Sequence, residues 1–154
     1  MNRFELLAML HGIGVIAWVG GGLALVVLHA LALRSDDYQG LETAVRQSSV
    51  LGTWLYGPAS IVTGATGIAL VATEAGYGFT DLWILIGVVG VLLGPTIQLT
   101  AGNRTRSRYL ALLADNESDK AKLRASARSV TLVGTADVAI LLIIVWVMYS
   151  KPNI

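Results

Sequence analysis

Polar residues are unevenly spread along the chain. Four long apolar runs, roughly residues 6–33, 50–73, 82–102 and 130–149, alternate with short stretches that hold almost all the charge. Each run reaches the length of about 20 residues that a helix needs to cross a hydrocarbon core. The pattern predicts an all-α, up-down-up-down bundle of four transmembrane helices, with residues 1–154 forming one integral membrane domain. The first run ends near Ala30-Leu31-Ala32, which has the form of a small-residue cleavage site. Its apolar stretch is longer than a signal-peptide core, so it reads as a retained helix.

Composition agrees with the pattern. A chain that is 55% hydrophobic and 14% charged has too little polar surface for a water-soluble globule of its size. Cysteine is absent, which excludes disulfides, thiolate metal sites and cysteine nucleophiles. The net charge of +1 and the lack of an aromatic-interleaved basic domain leave nucleic-acid binding without a basis.

The placement of charge adds an orientation. Arg34, Arg46, Arg104, Arg106, Arg108, Lys120, Lys122, Arg124 and Arg128 fall in the connections at one end of the bundle, against Arg3 and Lys151 at the other. By the positive-inside rule both termini and the Glu74–Asp81 turn lie outside the cytoplasm, in a multi-pass protein of the bacterial inner membrane. Tyr77, Phe79, Trp83 and Tyr149 then fall at the outer interface. The basic connections read as helical extensions beyond the bilayer: Tyr109, Leu110, Leu112 and Leu113 keep helical spacing, Ser118 is a candidate N-cap, and Leu41, Val45 and Val50 form an interfacial lead-in to the second helix. Asn116-Glu117-Ser118 has the form of a glycosylation acceptor, but on a cytoplasmic turn it is only a turn. The basic run Arg104–Arg128 reads as a solvated rim able to contact anionic lipid.

Most of the 17 glycines lie in the spans, where small residues let helix backbones approach. Gly90/Gly94, Ala17/Gly21 and Ser60/Gly64 are steps of this kind, suited to packing within the chain or to a homodimer or larger complex with glycine-rich faces. Gly20-Gly21-Gly22 is mid-membrane, hence a packing surface and not a phosphate cradle. Gly57-Pro58 and Gly94-Pro95 interrupt the second and third spans. A proline removes one backbone hydrogen bond and frees a carbonyl, so Pro58 and Pro95 mark helix kinks at similar depth. They either shape the bundle or open a local cavity.

Three ionisable groups lie inside spans, where a charge costs ~2.5 kcal/mol or more near the centre: His11, His29 and Asp137. The histidines share a face of the first helix but are 18 residues, about 27 Å, apart, so one ion cannot bind both. Asp137, His29, Gln98, Thr63 and Thr131 are expected to form a buried polar layer in the cytoplasmic half, either as a structural network, with Asp137 paired to His29, or as a proton or cation relay. His11 stands alone nearer the outer face, one heptad before Trp18. It is either bonded to a neighbouring carbonyl or a ligand, and a metal there has only Glu74 and Asp81 as oxygen donors and three methionines as sulfur donors. No nucleophile elbow, phosphate loop, HExxH helix or dinucleotide fingerprint is present, so no catalytic residue is assigned.

The arrangement His11, six residues, Trp18-Val19-Gly20-Gly21, with Thr63-Gly64 or Thr66-Gly67 in the second helix and Val147-Met148-Tyr149-Ser150-Lys151-Pro152 at the end, resembles a family of small bacterial predicted integral membrane proteins of unknown function. The His-to-Trp spacing is also similar to the first helix of CopD-type copper-resistance proteins and HemJ-type protoporphyrinogen oxidases. That resemblance implies His11 as a haem b or copper-type metal ligand, with Trp18 as its packing neighbour. After Trp18 the chain runs into Gly20-Gly21-Gly22-Leu23 in place of the aromatic-Pro-Arg segment of the HemJ pattern, and it lacks the additional helices of CopD-type proteins. Three functions remain in view: a redox-linked cofactor protein, a small cation or solute transporter-like dimer, and a non-catalytic accessory subunit of a membrane complex.

Overall fold

The computed structural model describes residues 2–35, 37–73, 76–115 and 119–151. Its regular elements are helical throughout. Helix α1 is Arg3–Arg34; α2 (Tyr38–Leu51) passes through a π turn at Gly52–Tyr56 into α3 (Gly57–Thr73); α4 (Leu82–Ile97) passes through a second π turn at Gln98–Gly102 into α5 (Asn103–Ala114); α6 is Lys120–Ser150. The result is four helical rods, each long and apolar enough to cross a membrane. Rods of 31 to 35 residues are about 47–52 Å long, well beyond a hydrocarbon core of about 30 Å. The surplus lies in α2, α5 and the start of α6, which extend the spans at the basic end as their helical spacing predicts.

The rods start and stop for local reasons. Asn2 caps α1, accepting from the Glu5 amide at 2.8 Å while its own amide donates to the Glu5 carboxylate at 3.0 Å, a reciprocal capping box. Asp37 accepts from Gly40 N at 2.8 Å at the head of α2. Asp119 accepts from Ala121 N at 3.0 Å at the head of α6, so the cap is Asp119; Ser118 and the rest of Asn116-Glu117-Ser118 lie outside the described residues, as does Glu74. Helix α6 ends where Lys151 turns left-handed, φ 43.

Both π turns adjoin the in-span prolines. Pro58 follows the first, and its missing N–H leaves the Trp54 carbonyl, inside that turn, without its regular partner. Pro95 lies one turn before the second. Freed of a bond at each point, the ladder takes up one extra residue; Gly57 N donates to Gly52 O, five residues back.

Helix α1 packs most closely on α3, and α6 lies against both α1 and α4. The glycines of α4 receive side chains of the same chain: a Cβ at Gly87 would collide with the Met148 methyl, at Gly90 with Ile144 Cδ1, and at Gly94 with the Trp18 ring; Gly64 likewise receives Val91. Two apolar cores result. Trp18, Ala59 and Leu141 form one in mid-bundle. The other joins Leu41, Val45, Tyr109, Ala127 and Val130 at the basic end, so Leu41 and Val45 are core residues of the helical extension that leads into α3. The outer surface of the rods is apolar. Ile16, Ile61, Leu92, Leu99 and Leu132 are among its most exposed side chains, an arrangement stable against lipid and not against water.

Candidate functional site

His11 is the first residue of interest. Its Nδ1 lies 2.9 Å from the Thr63 carbonyl oxygen on α3 and 3.4 Å from Thr66 Oγ1. The hydroxyl already donates to Val62 O at 2.5 Å. A carbonyl only accepts, so Nδ1 carries a proton, and in the tautomer this selects Nε2 keeps its lone pair. Two glycines make the approach possible. A Cβ at Gly67 would lie 3.2 Å from His11 Cε1, and one at Gly14 would lie 2.5 Å from Thr63 Oγ1.

Around His11 lie two neighbouring cavities of about 330 and 380 Å³ whose walls share His11, Thr63, Gly87, Val91 and Met148. The first opens toward the chain termini. There Lys151 Nζ donates to the Tyr77 hydroxyl at 2.7 Å and sits 4.7 Å from the Tyr77 ring centroid and 5.3 Å from that of Trp83, a cation held on two aromatic faces. Tyr77 and Trp83 pack edge to face at 5.2 Å. Trp18 closes the second cavity at its inner end; only 3% of it is exposed.

Beyond Trp18 the polar groups form a chain. Asp137, fully buried, accepts through Oδ2 from Gln98 Nε2 at 2.8 Å. Gln98 Oε1 accepts from Arg106 Nη1 at 3.2 Å, and its backbone oxygen accepts from Nη2 at 3.3 Å. Asn103 Oδ1 accepts from Nη2 at 2.6 Å. The amide of Gln98 thus joins a carboxyl group to a guanidinium without their touching. Gly102 leaves room for this: a Cβ there would lie 2.7 Å from Gln98 Oε1. Asp137 Oδ1 has no hydrogen-bond partner and lies beside Gly94.

A third cavity, about 190 Å³, occupies the basic half of the bundle and is walled in part by Trp18, His29, Tyr56, Gln98 and Arg106. Tyr56, the last residue of the first π turn, places its hydroxyl against Gly22, where a Cβ would collide with it. Trp18 therefore borders a cavity on each side, with Asp137 next to it.

The expected layer of Asp137, His29, Gln98 and Thr63 is thus divided. Gln98 alone joins Asp137. Thr63 belongs to the His11 site. His29 is buried against the Ala44 backbone with Nε2 unpartnered, and no Asp137–His29 pair forms. The reason is depth: Asp137 sits level with Trp18, and 11 residues of α1, about 16 Å, separate Trp18 from His29. Thr131 donates to Ala127 O within its own helix at 3.2 Å. Arg106, expected on the solvated rim, turns inward. Tyr56, Arg106 and Met148 are the site residues that the sequence does not single out. Among the described residues no three His, Cys, Asp or Glu side chains are grouped so as to hold a metal ion; Asp81 accepts from Gly78 N at 3.0 Å.

Four rods able to cross a bilayer, apolar outside and polar within, define a multi-pass integral membrane protein. Residues 5–152 match the family described as predicted integral membrane protein (DUF2269), and the chain belongs to that family. No curated protein and no solved structure matches it.

Proposed function

We propose that the protein is a redox-linked membrane protein that binds haem b, or a related metal centre, through His11, with Asp137, Gln98 and Arg106 serving proton movement on the other side of Trp18. The observation that carries this reading is the His11 ring. Its Nδ1 is held by a backbone carbonyl, the support that fixes a ligating imidazole, and it borders cavities of cofactor size.

The donor set favours haem over a bare ion. Copper or zinc requires several protein donors, whereas haem brings its own four nitrogens and needs one or two axial ligands. His11 Nε2 would hold such a group, with the Met148 thioether, on the wall of the same cavities, as the candidate second ligand. Lys151 and Tyr77 at the mouth would hold acidic substituents, and Trp18 would pack below. Such a group supplies one-electron chemistry. The chain orients His11, excludes water with Val91 and Ile144, and keeps an acid at Asp137.

Titration of the purified protein with hemin is the test. Saturable binding at one equivalent per chain, weakened in His11→Ala, is expected; binding without saturation removes the proposal.

A second reading rests on Trp18 and Asp137 lying between cavities on opposite sides, the layout of a transporter for a cation or small solute. Equal flux through liposomes bearing the native protein or Asp137→Asn would count against it. In both readings the basic end faces the cytoplasm of a bacterial inner membrane, and the outer faces meet lipid or a partner subunit.

A further inference from the structure

The cavity at the basic end is a candidate binding site separate from His11. Arg106 lines it and is half-buried. Its guanidinium has five N–H donors, of which three are used by Gln98 Oε1, Gln98 O and Asn103 Oδ1. All three acceptors are neutral. The only acid in this network, Asp137, is joined to it through the Gln98 amide, and among the described residues no carboxylate is within ion-pair distance of Arg106. A half-buried cation with spare donors and no counter-charge calls for an anion.

A second observation points to an occupant at the same place. His29 lines this cavity, is 4% exposed, and its Nε2 is fully buried without a partner. Ser48 and Ser60, also on the wall, already donate to Val45 O and Gly57 O, so the spare donors are those of Arg106 and the hydroxyl of Tyr56, which lines the same cavity. Most of the remaining wall is apolar, with Leu25, Val26, Val130 and Val133. A volume of about 190 Å³ is slightly above the ~150 Å³ of an engineered cavity that takes benzene, which sets the occupant at roughly six heavy atoms.

We infer that this cavity binds a short-chain monocarboxylate, its carboxylate on Arg106 and Tyr56 and its short apolar body against Val26, Val130 and Val133. The site is independent of haem binding, since Trp18 separates it from His11, and either assignment can fail without the other.

The experiment is calorimetric titration of the detergent-purified full chain with butyrate at fixed ionic strength, with inorganic phosphate as a second probe and phosphatidylglycerol or phosphatidylcholine nanodiscs as a third arm. Saturable butyrate binding is expected, at least tenfold tighter than phosphate and unaltered by the lipid. Arg106→Gln should weaken it about tenfold or more, while the exposed Arg108→Gln leaves it unchanged. Gly52→Leu covers the case in which Arg106→Gln misfolds. Gly52 lines the cavity and a Cβ there meets nothing within 4 Å, so the variant should fold, fill the space and lose binding. Phosphate binding as tightly as butyrate, competition by phosphatidylglycerol alone, equal loss in Arg108→Gln, or full binding in Gly52→Leu overturns the assignment.

Discussion

Gln98→Leu is the most informative single change in the polar chain. Among the described residues it removes the only hydrogen-bond partner of Asp137, whose other oxygen has none, and one of the three acceptors of Arg106. A buried polar group left unsatisfied costs about 1–3 kcal/mol. Arg106 is half-exposed and keeps Gln98 O and Asn103, so its loss adds less than about 1 kcal/mol. The expected destabilisation is therefore about 1–4 kcal/mol by those two contributions. Adding Asp137→Leu, close in shape to the carboxylate it replaces, removes the orphaned group. The double variant should be more stable than Gln98→Leu alone, with a coupling of at least about 1 kcal/mol. Reversible unfolding of the four proteins in mixed micelles measures the cycle. Additivity within about 0.5 kcal/mol would mean that Gln98 and Asp137 do not act together, and the relay would lose its first link.

Three further outcomes follow from the geometry. Gly22→Ala drives a methyl into the Tyr56 hydroxyl and should cost about 1–3 kcal/mol, partly restored by Tyr56→Phe, and no restoration would place that hydroxyl elsewhere. Gly87→Val displaces the Met148 methyl and should lower hemin affinity or change the spectrum of the complex while His11→Ala abolishes it; unchanged binding would remove Met148 from the ligand set. Single cysteines at Gly78 and at Arg108 should be labelled from opposite sides of intact spheroplasts by an impermeant reagent, Gly78 from outside, and the reverse would invert the proposed orientation.

Much of the fold was legible in the sequence. Apolar runs of span length leave one architecture, and the helical spacing of Tyr109, Leu110 and Leu113 carried the rods past the bilayer. The capping position was displaced by one residue, from Ser118 to Asp119, because both are good caps and adjacent. The site was less legible, for a geometric reason. In a regular helix residues eight apart differ by about 80° around the axis, which places Arg106 away from Gln98 and on the rim. The π turn at Gln98–Gly102 absorbs one residue, so the pair behaves as if seven apart, about 20° from alignment. The same slip, beside Pro58, presents Tyr56 to Gly22. Gly-Pro pairs signal a broken ladder but not which way it slips. Depth misled in the same manner: Asp137 and His29 lie in one half of the bundle by residue count, yet two layers of side chains apart. His11, by contrast, was visible as a lone histidine beside Trp18, and the bond to a neighbouring carbonyl, one of the two readings of such a residue, is the bond it makes. That bond also leaves Nε2 able to act as a ligand.

His11, and not His29, is the residue proposed to hold a cofactor. The most direct test is the visible absorption spectrum of the protein purified from a haem-replete host beside its His11→Ala and His29→Ala variants. A Soret band in the native protein, retained in His29→Ala and absent from a folded His11→Ala, is the predicted result. A colourless native protein, or a band that survives in His11→Ala, contradicts it.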